Sequence, residues 1–492
     1  MWYEHISQSN PFSLLGGREF SQIRDARVRA AALEQLGALR RPEPAEEIRT
    51  LLRDPVPGVR AAALGALCAV EQEAAVPTVL PFLEVRTAPE AVVRAAAAVA
   101  LIRHAGLDGV LAAAEPLKQL LAAEDPADRA AAADALGNIG VSGFFRPLLA
   151  FLRDEDLAVR RRAIAAAGKL RAPELIGALV EQFQRRETAL EAAGALAAFG
   201  PGIELQLQAI LLDEASHVDC RRGVALVLQR LGTREAASAL AGALTSRDAS
   251  VRKAAARGLS RLTRRQPGVR IEAARVERAV HAELAGARMA LGILKKLGLR
   301  AGPAPRTAVE LMATALLEER DARVLQALVL LEVLFPEVRL DVVAENLRSE
   351  SSAARANAIE VLDNARPEPW KRLAMAALDE IKRRGDQVLP DPRPVADLAA
   401  TLIGGECGLW VAACAARWVL DGPVPLAPLL TPLQAALHAP FPPLREAAVY
   451  AVARAAPAEA TRLLAQAAGD PAASVSRAVK ALLGRAAPRA TA

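Results

Sequence analysis

The chain is predicted to fold as an all-α, right-handed solenoid of helical hairpins, and three observations predict it. A short string recurs: Asp25 to Leu33 (DARVRAAAL), Asp54 to Leu64 (DPVPGVRAAAL), Asp125 to Ala135, Asp154 to Ile164 and Asp248 to Leu259. The arginine in the copies falls at Arg29, Arg60, Arg94, Arg129, Arg160, Arg221 and Arg252, which gives steps of 31, 34, 35, 31, 61 and 31 residues. A period of that size marks stacked supersecondary units rather than one globular core. Finally, 52% of residues are apolar but only 3% aromatic, so Ala, Leu and Val must fill the interior and helices must approach closely.

Residues 1–22 lack the period and carry Asn10-Pro11 and Gly16-Gly17, the marks of an arm or irregular cap. Regular repeats are expected over 23–265. Each begins with a short helix often led by proline, as at Pro44 to Leu52 and Arg146 to Leu152; proline costs little in a first turn, where its missing donor had no partner. An Asp-Pro or Asp-Ala turn follows, its aspartate placed to cap the next helix. The second helix, such as Val59 to Val70, shows apolar residues at helical spacing. Gly137, Gly140, Gly168 and Gly232 fall near the ends of these halves, where a left-handed residue would satisfy the last carbonyls.

Over 266–320 the period stalls. Ile271 to Gly298 reads as a longer helix and Thr307 to Glu319 as another. Repeats return over 321–385, first at Asp321-Ala322-Arg323-Val324. A Pro- and Asp-rich stretch at 386–395 reads as a linker, and 396–492 as weaker repeats with a frayed end. The whole makes about a dozen helical pairs, each burying its apolar side only against its neighbours.

An Asp-x-x-Val-Arg string followed by an Ala/Leu helix resembles the HEAT-repeat family, in its short bacterial form, over most of Ile23 to Leu362. That resemblance implies a curved, mostly non-catalytic solenoid that holds partner proteins along one face. Cys220–Asn364 further resembles the soluble HEAT region of ADP/ATP-translocase-like carriers, through the string Arg355-Ala356-Asn357-Ala358-Ile359-Glu360-Val361-Leu362-Asp363-Asn364. The transporter domain is absent, and nothing after Pro394 resembles a nucleotide-binding barrel. What the resemblance implies is a docking module, with a membrane-associated partner as one option.

The chemistry of the remaining residues is sparse. The net charge is +6 and the pI about 9.4. Nearly all the positive charge is arginine, and many of those arginines occupy the repeating position, where bonding to an aspartate or carbonyl of the adjacent turn is expected. No leader or apolar run of about 18 residues is read, and a reducing cytoplasmic setting suits four scattered cysteines. Cys407 and Cys414 are read on one helical face with Val411 and Trp418, and Trp410 as bordering the same apolar stripe.

Catalytic, cofactor and metal residues are assigned to none. No nucleophile elbow, Walker loop or dinucleotide fingerprint appears. His217, Asp219 and Cys220 make the nearest approach to a ligand group but supply only one turn of chain. The densest basic cluster, Lys253, Arg257, Arg261, Arg264 and Arg265, reads either as a solvated helix end or as a docking patch for an acidic protein, membrane headgroups or nucleic acid, with protein binding the expectation. The expected function is therefore a non-enzymatic scaffold or adaptor; the alternative is a nucleic-acid-binding solenoid with an Arg-rich concave surface.

Overall fold

The computed structural model describes residues 23–40, 45–269, 271–302, 304–334, 340–347, 349, 351–364, 388–422, 424–465 and 467–486. The arm at 1–22 and the whole of 365–387, which includes the first two residues of the expected linker, lie outside them. Among the described residues there is no strand, and the fold is an all-α solenoid. Contacts divide the chain into two units, Met1–Gln206 and Leu207–Ala492.

The first unit contains α1 (Ala26–Leu39), α2 (Ala45–Leu51), α3 (Pro57–Glu71), α4 (Ala91–His104), α5 (Gly106–Leu121), α6 (Pro126–Ile139), α7 (Phe145–Phe151), α8 (Leu157–Leu170), α9 (Ile176–Glu181) and α10 (Ala189–Ala198). First helices such as α2 and α7 have 7 residues, whereas α3 has 15 and α8 has 14. The long second helices pack in a row, α1 on α3, α3 on α4, then α6, α8 and α10. Each covers the Ala/Leu face of the one before it, so the core is a continuous seam.

The seam explains two of the four glycines expected at helix ends. Gly140 and Gly232 are left-handed caps (φ 75° and 70°) whose amides bond the carbonyls of Leu136 and Leu228. Gly137 and Gly168 are not caps: they lie within α6 and α8, against the next helix. A Cβ on Gly137 would sit 2.7 Å from the Ala166 Cα, and one on Gly168 would sit 3.0 Å from the Ala195 Cα. Their job is close approach, which sequence spacing alone does not distinguish from capping.

Residues 57–83 are long and apolar enough to cross a membrane by length and composition. In the fold this stretch is broken after α3 at Gln72, whose φ is 54°, and continues as short helical turns.

The second unit contains α11 (Val218–Leu231), α12 (Arg234–Gly242), α13 (Ala249–Arg265), α14 (Ala273–Lys296), α15 (Ala308–Leu334), α16 (Leu340–Leu347), α17 (Ser352–Asn364), α18 (Val395–Ile403), α19 (Leu409–Asp421), α20 (Leu430–Ala436), α21 (Pro442–Ala455), α22 (Ala460–Ala465) and α23 (Ala473–Ala486). Here the row runs α11, α13, α15, α19, α21, α23. The expected break before Asp321 does not occur. Instead α15 is continuous for 27 residues, because Glu319-Arg320-Asp321-Ala322-Arg323 contains no breaker and the Glu319–Arg323 ion pair (2.7 Å) braces it at i, i+4.

Cys407 also departs from expectation. It is buried in the turn before α19, not on the helix, while Cys414 and Trp418 are buried within α19. Trp410, at the start of that helix, is 44% exposed and does not join their stripe.

Candidate basic cleft and the arginine ladder

The repeating arginines are structural, as their position implies. Arg29 in α1 donates from Nε and Nη2 to the Asp54 carboxylate at 2.8 and 3.0 Å, and from Nη1 to the carbonyls of Ile23 and Arg24. Arg129 does the same with Asp154 and the carbonyls of Ala123 and Glu124. Arg445 repeats it with Asp470. Arg60 reaches Glu90, Arg94 reaches Asp128, and Arg221 reaches Glu214 and Ser246. One guanidinium fork thus ties its own turn to an acceptor in a neighbouring turn, most often that of the following repeat, a geometry that suits Arg and not Lys.

Two kinds of aspartate serve this ladder. Asp25, Asp125, Asp156 and Asp248 are true N-caps, each accepting from the amide two residues on. Asp54 and Asp154 do not cap. They accept the arginine of the previous repeat and fold their own turn by accepting from Val56 and Asp156 amides. The ladder has a gap at Arg160. Its Nη1 holds the carbonyls of Asp154 and Glu155, but the residue 25 places on is Arg185, and its Nε is buried with no partner among the described residues.

The basic cluster is a different arrangement. Capped by Asp248, α13 runs unbroken to Arg265, so Lys253, Arg257 and Arg261 stand four residues apart on one exposed face. Lys253, Arg257, Arg261 and Arg264 line one wall of a cleft of about 650 Å³ between α13 and α15; Arg265 is exposed but does not line it. The facing wall is Ala322, Leu325, Gln326 and Val329 of α15, with Glu283 of α14 and Glu319 and Arg323 of α15 completing it.

Polar side chains fill the seam that alanine and glycine fill elsewhere. Ser260 donates to the buried Glu332 at 2.9 Å, and Arg264 lies 3.3 Å from the same carboxylate. Gln326 donates to the carbonyl of Arg252 at 3.2 Å. Deeper, charges alternate: Arg252 to Glu283 at 2.6 Å, Glu283 to Arg323 at 3.4 Å, Arg323 to Glu319 at 2.7 Å. Burial pushes the Glu319 carboxyl above its ordinary range, opposed by the Arg323 charge. Gly286 makes room for that guanidinium, since a Cβ there would collide with Arg323.

Both cleft carboxylates are therefore engaged by arginines. Arg257 and Arg261, in contrast, have no hydrogen-bond or ion-pair partner among the described residues. Six cations and two carboxylates line the cleft. Sequence reading finds the α13 wall because its cations are four apart. It misses Glu283, Glu319, Arg323, Leu325 and Val329, whose approach depends on two long helices folding back.

Elsewhere, His217 caps α11 by accepting from the Asp219 amide at 3.2 Å, and no group of three or more potential metal ligands gathers among the described residues.

The repeats are HEAT-like by comparison as well as by geometry. Residues 20–102 and 114–200 match the family model for HEAT repeats. A search of curated proteins returns no match. Among solved structures the chain is similar to importin beta crystallised in an ammonium sulfate condition, at 13% identity and a TM-score of 0.31, over 95% of this chain and 73% of that one. It is also similar to yeast importin-beta (Kap95p), at 14% identity and TM-score 0.34, over 95% and 67%. A third is Kap121p bound to Pho4p, at 14% identity and TM-score 0.29, over 95% and 56%.

Proposed function

We propose that the chain is a non-enzymatic scaffold that binds a partner protein along its second helices, with the α13–α15 cleft as a contact point. One observation carries the reading: ladder arginines are consumed by the fold, whereas Arg257 and Arg261 are exposed and unpaired among the described residues. Exposed cations arranged on a rigid helix and left without counter-charges suit recognition of something anionic. Neutralised carboxylates in the cleft suit recognition better than proton transfer.

Four free, buried thiols support a reducing, cytoplasmic setting. The likeness of 220–364 to the soluble region of membrane carriers puts a membrane protein among the partners to test. The direct test is affinity capture by the full chain and by an Arg257→Glu/Arg261→Glu variant. The wild type should retain a stoichiometric protein that the variant loses; equal capture by both would remove the cleft from the proposal.

The same unpaired cations favour one second reading, a nucleic-acid backbone. It predicts retardation of an oligonucleotide that weakens steeply as salt rises, because phosphate contacts release counterions. No retardation at low salt would end it.

A further inference from the structure

We infer that the cleft takes an acidic amphipathic helix of a partner protein, carboxylates on one side and aliphatic side chains beside them. This rests on the partner-binding reading above and names the chemistry of the occupant.

The argument is one of complementarity. Arg257 and Arg261 are one helical turn apart, about 6 Å along the axis. Glutamates four apart on a docking helix repeat at the same interval, so two ion pairs form in register. The opposite wall carries one cation, Arg323, already paired with Glu319 and Glu283, and is otherwise uncharged at its rim. Ala322, Leu325 and Val329 follow one another at three and four residues on α15, with Ala322 exposed and the other two half-buried. That is an apolar stripe still offering area to a ligand, and a few aliphatic side chains would bury it.

The floor sets the orientation. Arg252 and Arg323 lie deeper, already paired with Glu283 and Glu319, so a carboxylate inserted between the walls would find no free cation there. Acidic groups must therefore stay at the α13 rim while apolar ones lean toward α15. A single-stranded polynucleotide matches less well. Bases bind such grooves by stacking on aromatic rings, and no aromatic residue lines this cleft.

The probe is a designed helical peptide with glutamates at i, i+4 and i+8 and leucine one residue after each, about 100° around the helix. Fluorescence anisotropy is read against the full chain at low and at physiological salt. Control probes replace Glu by Gln, replace Leu by Ser, or substitute a poly-dT oligonucleotide. The inference expects the amphipathic acidic peptide to bind best. Arg257→Glu/Arg261→Glu should weaken it at least tenfold, and Val329→Ser severalfold, with far-ultraviolet circular dichroism unchanged.

Equal binding of the Leu-to-Ser peptide, or indifference to Val329→Ser, would overturn the amphipathic assignment. Tighter binding of poly-dT would overturn the protein assignment. If no peptide binds while Arg257→Glu/Arg261→Glu still abolishes partner capture, this inference fails and the scaffold reading stands. Failure of both would remove the two together.

Discussion

Arg29 and Asp54, 25 residues apart, form a buried two-point ion pair at 2.8 and 3.0 Å, and the spacing recurs in Arg129–Asp154 and Arg445–Asp470. Because Arg29 also holds two carbonyls of its own turn and Asp54 the amide of Val56, the pair locks two adjacent turns together. In a structure where each repeat touches only its neighbours, such links set how far one repeat can slip against the next.

Asp54→Asn keeps the shape and the Val56 bond but strands a buried guanidinium. We expect a loss of about 3 kcal/mol, since breaking one side of a buried pair leaves an uncompensated charge. Urea unfolding should show it as a lower midpoint. Removing both partners, as Arg29→Met/Asp54→Leu, should cost clearly less than the single change; equal cost would mean the charges are not coupled.

Glycine to alanine should act in opposite directions at two sites in the first unit. At Gly137 the new Cβ would meet the Ala166 backbone at 2.7 Å, so the seam must open, costing about 1–3 kcal/mol. At Gly65, within α3, nothing lies within 4 Å, and alanine should stabilise by about 0.5–1 kcal/mol. Melting temperatures of the two variants on either side of the parent would bear this out.

Acid sensitivity follows from the ladder. The hydrogen bonds from Arg129 hold the Asp154 carboxyl below its ordinary value, and those from Arg445 do the same for Asp470. A lowered folded pKa means stability that is complete above the unfolded value of about 4 and is lost as pH falls toward the folded one. Glu319 runs the other way: burial raises its pKa, so protonation relieves rather than harms the fold. Arg129→Gln should flatten the loss of stability as pH falls below about 4. An unchanged slope would refute the linkage.

The thiols should be silent in the native state. Burial pushes Cys68 and Cys407 up to about 12 and Cys414 up to about 11, so the nucleophilic thiolate is scarce at pH 8. A chromogenic disulfide reagent should find no fast-reacting thiol before unfolding and four per chain in denaturant. A rapid native reaction would show that one of these pockets opens.

Much of this protein is legible without coordinates, because its information is short-range. A 31-residue step between Arg29 and Arg60, capping aspartates at Asp25, Asp125, Asp156 and Asp248, and apolar spacing at 3.6 residues all act within one or two turns of chain. They suffice for helical pairs in series and for arginines committed to the fold. The α13 cations are visible for the same reason.

Tertiary structure decided what depends on which faces meet. It separated the aspartates that cap from Asp54 and Asp154, which receive an arginine from the repeat before. It turned Gly137 and Gly168 from apparent helix ends into points of contact, and ran α15 through Asp321. It set Leu325 and Val329 opposite Arg257 and Arg261, some 68 residues on from each of those arginines. Sequence distance carries no signal for such meetings, since they arise only when packed helices bring remote segments to a shared seam.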